Sequence, residues 1–397
     1  TMQVSGAILT ESGLSFLGLG DPNIVSWGKM ISQGQPYLTK SWWISVLPGL
    51  IVVLTVLAFF LIGDGLNRVI SPKIRSVQKD FNVAYKMGEE RVYACQDINL
   101  KVDPQTSLGI VGESGSGKST LINAFLRLLP KSLADVSGEA LLEGEDLLQV
   151  SPQRLRGLRW EEVSVVFQKS LNALSPVHRV GAQLTDVYLV HRPNTPKREV
   201  RERLLELFEV VNLPARILRS YPHELSGGMM QRISIALSLL FEPKLLVLDE
   251  ATTALDVVTQ SQILQEIMRL EEQMSLTRLM ITHDISVVSS TCREIVVMYA
   301  GRVMEKGLVT EVLLSPKHPY TQGLLNSFPA MTGEKREIKG IPGSLPDLAE
   351  RFTSCPFAPR CAHAMPVCHA RFPEMTHHGE KQVVYCHLYA KGGTPHA

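Results

Sequence analysis

The sequence lacks a charge excess of either sign: 40 Lys and Arg stand against 39 Asp and Glu in 397 residues, a formal net charge of +1. A protein that tracks a phosphate backbone presents a basic surface, so this balance argues against nucleic acid as a partner. Cysteine is scarce as well, six in all, and unevenly placed. Cys95 and Cys292 stand alone, while Cys355, Cys361, Cys368 and Cys386 crowd the C-terminal stretch. A secreted disulfide framework spreads through a small chain, so this distribution reads as a reduced setting with a metal-type cluster. The start lacks a basic region, a short apolar core and a small-residue cleavage site, and so carries no cleavable signal pattern. Thr1 in place of Met is what a sequence beginning inside a longer reading frame would show.

What is there is long enough for two or three domains with full cores. The chain is organised around Gly112, Glu113, Ser114, Gly115, Ser116, Gly117, Lys118, Ser119 and Thr120, which follow the apolar run Leu108–Val111 and lead into Leu121–Leu126. Strand, glycine-rich loop, then helix is the context a phosphate-binding loop requires. The glycines let backbone N–H groups turn around a polyphosphate, and the helix aims its positive end at the same anion. Lys118 would reach the β- and γ-phosphates of ATP and the Ser119 hydroxyl would sit on Mg²⁺.

Around this loop the patterning is that of an α/β protein. Alternation in Asp80–Tyr85 and Cys95–Leu100 predicts strands of a small β region, with Tyr85 a candidate either for stacking on an adenine ring or for ordinary packing. Val163–Phe167 predicts a strand ending at Gln168. At Ser226, Gly227 and Gly228, with Gln231 one turn on, a serine and glycines open a long helical pattern, an arrangement that would hold an anion or simply cap the helix. Lys244–Leu248 is a continuous apolar run, as a buried parallel strand would be, and it ends in Asp249 and Glu250. Asp249 can hold Mg²⁺, usually through its water shell, and Glu250 is placed to polarise a water attacking the γ-phosphate. Another apolar strand ends at His283.

Taken in order, these motifs resemble those of ABC-type ATPases. The resemblance implies a P-loop NTPase with a mostly parallel core sheet, an antiparallel β subdomain and a helical subdomain, over residues 76–325. It implies that Gln168 contacts Mg²⁺ and the attacking water, that Ser226–Gln231 is the signature docking on ATP held by an opposite subunit, that Asp256 lets two subunits sense each other, and that His283 hydrogen-bonds the γ-phosphate. Ala251 and Lys169-Ser170 depart from the usual pattern without touching a catalytic group.

Trp42 to Ile62 holds no charged residue, and at about 1.5 Å per residue it spans a hydrocarbon core of about 30 Å, which predicts a transmembrane helix. Arg68, Lys73 and Arg75 argue that its far end is cytoplasmic. The segments ILTESGLSFLGLG, SWGKMI, WWISVLPGL and LIGDGL resemble the last two transmembrane segments of the permease of dipeptide and oligopeptide ABC importers. Residues 1–75 thus read as a permease remnant lacking the coupling helix that would touch the ATPase.

His318–Leu325 and the Pro- and Gly-rich Ile341–Leu348 resemble the C-terminal extension of peptide-importer ATPases, assigned to 326–397. Four thiolates at Cys355, Cys361, Cys368 and Cys386 can close a zinc site or a [4Fe–4S] cluster. Their wide spacing resembles the iron–sulfur cysteines of that extension, with zinc or free thiols as the alternative and His363 and His369 as alternative ligands. The expectation is an ATPase on the cytoplasmic side of the inner membrane that powers uptake of dipeptides or oligopeptides. The resemblance implies a related second ATPase subunit, two permease subunits and an extracytoplasmic peptide-binding protein. Import of nickel or another small solute, or a membrane-anchored ATP-dependent regulator without transport, is the alternative.

Overall fold

The computed structural model describes residues 10–17, 26–37, 40–70, 76–167, 174–251, 256–327 and 340–390, with side chains left aside for 59–70. The chain forms two compact units, Thr1–Pro72 and Lys73–Ala397.

In the first unit the helix Trp27–Gly34 precedes the helix Trp43–Ile70. The second holds Pro48 and turns Trp43, Leu47, Leu50 and Leu54 outward. The part with described side chains, 43–58, is about 24 Å long at the α-helical rise, short of a bilayer's hydrocarbon core. Among the described residues no helix is long and apolar enough to cross a membrane. The expected span at 42–62 is therefore matched in helical form but not, within those residues, in length. The basic flank Lys73 and Arg75, and the Arg68 side chain, lie outside what is described.

The second unit carries two sheets. Strands β1 (Ser76–Met87), β2 (Glu90–Val102), β4 (Ala134–Leu142) and β5 (Glu145–Asp146) form an antiparallel sheet in the order β2-β1-β4-β5. The larger sheet runs in the order β11 (Met375–His378), β12 (Gln382–Tyr385), β10 (Arg302–Leu308), β9 (Glu294–Tyr299), β3 (Ser107–Val111), β8 (Thr277–Ile281), β7 (Leu245–Asp249), β6 (Val163–Val166). Its centre is parallel: β3 lies between β8 and β9, and β7 joins β8 to β6. β3, β7 and β8 are buried throughout, as the apolar runs Leu108–Val111 and Leu245–Leu248 require of strands covered on both faces. The helix Lys118–Phe125 fills the space between the sheets with Leu121, Ile122, Ala124 and Phe125. A separate helical layer, Val180–His191, Lys197–Val210 and Gly227–Ser238, packs Leu184, Val200, Leu204, Phe208 and Ile233 into a second core.

The C-terminal extension is not an appendage in this arrangement. Its strands β11 (Met375–His378) and β12 (Gln382–Tyr385) add antiparallel onto β10 (Arg302–Leu308), with Glu305 opposite Val384. It shares a core with the rest of the second unit through Tyr299, Tyr320 and Phe357.

Candidate active site

The loop after β3 lies where ligands bind in parallel sheets, at the carboxyl ends of the strands. Gly117 opens the following helix at φ 95°, a left-handed conformation in which a Cβ would also run into the carbonyl oxygen of Ala94. Gly112 is needed for a different reason, since a Cβ there would collide with the Met298 carbonyl. Lys118 is 5% exposed, and its ammonium donates to the carbonyls of Gly112 and Glu113 at 2.8 and 2.9 Å and to Ser116 Oγ at 3.3 Å. Burial lowers its pKa, while the carboxylates of Glu250, Asp249 and Glu113 pull the other way.

The two described Mg²⁺ candidates meet: Ser119 Oγ donates to Asp249 Oδ1 at 2.8 Å. Burial pushes the Asp249 carboxyl up from its ordinary range, against the hydrogen bond from Ser119. Glu250 follows at φ 47°, a strained setting for a non-glycine residue of the kind found at functional sites. Its Oε1 lies 3.5 Å from Nδ1 of His283, which is 59% exposed. The tips of β7 and β8 thus bring Glu250 and His283 together beside the loop. Tyr85 reaches the same place from β1, its hydroxyl 3.1 Å from Thr120 Oγ1.

Ser226 caps the helix Gly227–Ser238, accepting from the Met229 N–H at 3.3 Å, and Ser226 and Gly227 are exposed. Gln231 is buried in the helical layer. Among the described residues no hydrogen bond or ion pair joins 226–231 to 112–120. Asp256 caps the helix Val257–Met274, accepting from the Thr259 N–H at 2.9 Å. Gln168 lies outside the described residues.

Cys355, Cys361, Cys368 and Cys386 line one small pocket, which His318, His363 and His387 also line. His369 is not among its lining residues. Among the described residues no group of three or more His, Cys, Asp or Glu side chains is arranged to hold a metal ion. Burial raises the Cys355 and Cys386 pKa values to about 11 and about 12 and pushes that of His318 down to about 3. His318 Nδ1 accepts from the Tyr320 N–H, while its buried Nε2 has no hydrogen-bond partner among the described residues.

Sequence reasoning missed the residues that hold the loop from outside: Tyr320 and Arg360, both bonded to Glu113, and Tyr299. Tyr320 falls in the quoted stretch His318–Leu325, but nothing in the spacing ties that stretch to a loop some 200 residues earlier.

A phosphate loop, a strand tip bearing Asp249 and Glu250, a histidine facing that glutamate and an exposed Ser-Gly helix start define an ABC-type ATPase. The ABC transporter family model matches residues 95–253, and the model of the oligopeptide/dipeptide transporter C-terminal region matches 304–368. The oligopeptide transport ATP-binding protein of Escherichia coli is 41% identical over 74% of this chain and 88% of that protein. The dipeptide transport ATP-binding protein of Caldanaerobacter subterraneus is 37% identical over 79% and 97%. A dimeric ATP-binding cassette solved in a post-hydrolysis state with ADP and phosphate superposes with a TM-score of 0.53 at 30% identity, over 59% of this chain and 98% of that one. The chain belongs to the ABC transporter ATP-binding subunits, in the branch with the oligopeptide/dipeptide C-terminal region, and it is an ATP hydrolase.

Proposed function

We propose that this chain hydrolyses ATP to drive uptake of dipeptides or oligopeptides through a permease in the cytoplasmic membrane. The observation that carries it is the joining, in one unit, of the Ser119–Asp249 and Glu250–His283 pairs with an extension matching the oligopeptide/dipeptide family. Residues 112–120 bind the phosphates of ATP through backbone N–H groups and Lys118. Ser119 and Asp249, with Gln168, hold Mg²⁺, which when bound offsets phosphate charge. Glu250 accepts a proton from the attacking water, and His283 steadies that carboxylate and reaches the γ-phosphate. Tyr85 stacks on the adenine. Ser226, Gly227, Gly228 and Gln231 serve the ATP of a second, related subunit, with Asp256 at the junction. Two permease subunits and an extracytoplasmic peptide-binding protein complete the assembly. The helix Trp43–Ile70, apolar and outward-facing along its described part, is a permease-type membrane segment.

The four cysteines of the pocket are read as holding a [4Fe–4S] cluster, with zinc or free thiols as the alternative. A mononuclear ion needs ligands closing on one point at about 2.3 Å, whereas a cluster fills a volume with the thiolates at its corners. What supports the cluster is that the four thiols line one pocket, in a stretch whose cysteine spacing resembles that of the iron–sulfur extension. When bound, it would tie the extension's loops together. Iron and acid-labile sulfide analysis of anaerobically purified chain tests this; zinc alone, or neither, refutes it.

ATP hydrolysis by the chain in lipid, with its permease and second ATPase, is expected to rise with peptide-loaded binding protein and to vanish with Glu250→Gln. Hydrolysis indifferent to peptide would point instead to another solute, nickel included, or to a membrane-anchored regulator.

A further inference from the structure

Glu113, the second residue of the phosphate loop, is held at both its backbone and its side chain by the C-terminal part of the chain. Its N–H donates to the Tyr320 hydroxyl at 2.9 Å. Its carboxylate takes both terminal nitrogens of Arg360, at 2.9 and 3.2 Å. Arg360 is itself fixed: its side chain is 8% exposed, it donates to Tyr299 Oη at 3.1 Å, and Nε and a terminal nitrogen donate to the carbonyls of Pro342 and Ile341. Tyr320 is fully buried, against the rings of Tyr299 and Phe357. Leu345, also from the extension, stands where a Cβ on Gly115 would meet it at 3.5 Å.

Two physical problems of this loop are met by that grip. A loop with glycines at φ 82° and 95° loses much backbone entropy when held in one shape. A bidentate guanidinium–carboxylate pair fixes angle as well as distance, which one hydrogen bond does not. The second problem is charge, because the Glu113 carboxylate stands in the loop that receives a polyanion and repels it unless it is neutralised. Arg360 supplies the opposite charge in a setting with little solvent. The turn Ala358–Arg360 that carries it leads directly into Cys361, at the cysteine pocket.

We propose that Arg360 is a positioning residue for the phosphate loop. Through its fork on Glu113, with Tyr320 holding the backbone of the same residue, the C-terminal extension keeps the loop in its phosphate-receiving shape and cancels the carboxylate's charge. This rests on the reading that 112–120 bind ATP. It gives the extension a part in nucleotide binding that no motif in it announces.

The test is the Kd for ATP of the full chain, measured by calorimetry for wild type, Lys118→Ala, Arg360→Ala, Arg360→Lys, Tyr320→Phe, and Arg360→Ala combined with Glu113→Gln. Arg360→Ala is expected to weaken ATP binding about tenfold, within the range of coupling between contacting charges. Arg360→Lys, a point charge without the fork, should fall between that variant and wild type. Adding Glu113→Gln to Arg360→Ala should recover part of the loss, since the uncancelled carboxylate is gone although the fork is not restored; a role confined to the extension's own packing would show no recovery. Should Arg360→Ala fail to fold, Arg360→Lys and Tyr320→Phe, each binding ATP more weakly at an unchanged unfolding temperature, carry the test. Wild-type Kd values in both of those variants, or no recovery in the double variant, overturn the proposal while ATP binding by wild type and its loss in Lys118→Ala leave the underlying reading standing. Wild type that binds no ATP, or Lys118→Ala that binds as well, overturns both.

Discussion

At the scale of single residues the site is built against the chain's own stability. Asp249 is 7% exposed at the tip of a buried strand, next to Glu250, and the folded state favours its neutral form. Its pKa lies above that of the unfolded chain, so the stability it withholds at neutral pH is recovered only as pH falls through the raised value toward the unfolded one. Asp249→Asn removes the charge and keeps an oxygen for the Ser119 hydroxyl. The nucleotide-free variant is expected to gain about 1 kcal/mol, a rise of a few degrees in unfolding temperature by scanning calorimetry, while Mg²⁺-dependent hydrolysis is lost. A lower unfolding temperature would show that the carboxylate stabilises the empty site. Residues of this kind were legible in the sequence because phosphate and Mg²⁺ chemistry restricts them to few types at fixed places after a strand. Arg360 was not legible, because an arginine in a proline-broken loop has no such restriction.

At the scale of elements the legible parts were those whose pattern is local. Leu245–Leu248 is apolar because the strand is covered on both faces, and Gly117 ends a loop whose next residue starts a helix. The addition of β12 to β10 is not local. Its four residues, Gln382–Tyr385, become a strand only against a partner far off in sequence, and the pairing is fastened by Glu305. That carboxylate is fully buried and accepts from the N–H groups of Lys317 and His318 at 2.8 and 2.9 Å and from Gln382 Nε2 at 2.8 Å. It therefore joins β10, β12 and the start of the helix Pro319–Asn326, the element that carries Tyr320. Glu305→Ala takes the acceptor from the Lys317 and His318 N–H groups and one of the two acceptors of Gln382 Nε2, which keeps the Ser315 carbonyl, so a loss of about 2 kcal/mol or more is expected in urea unfolding. Glu305→Gln, which keeps one acceptor oxygen, should lose less. Equal losses in both would mean that the charge, not the acceptor count, holds the junction.

At the scale of the whole molecule one chain carries one phosphate loop and one Ser-Gly helix start, and the loop is gripped from its own C-terminal side while the helix start stays open. Ser226 and Gly227 are exposed, as are Val257 and Val258 just past Asp256. Such a surface makes sense if a second ATPase chain brings its nucleotide against it. Gly227 is a suitable place to test this, because a Cβ there meets nothing within 4 Å and its backbone is in an ordinary helical conformation. Aspartate in the first turn of a helix is favourable to the helix itself, by about 0.3–1 kcal/mol. Gly227→Asp is therefore expected to keep or raise the unfolding temperature of the chain. In a head-to-tail sandwich the same carboxylate would face the partner's γ-phosphate and repel it. In the Glu250→Gln background, where ATP persists, the chain mixed with its partner ATPase and Mg-ATP should sediment as a dimer, and adding Gly227→Asp should return it to monomers. A dimer that survives Gly227→Asp would place the junction on another face, and the exposed valines would then need a different partner.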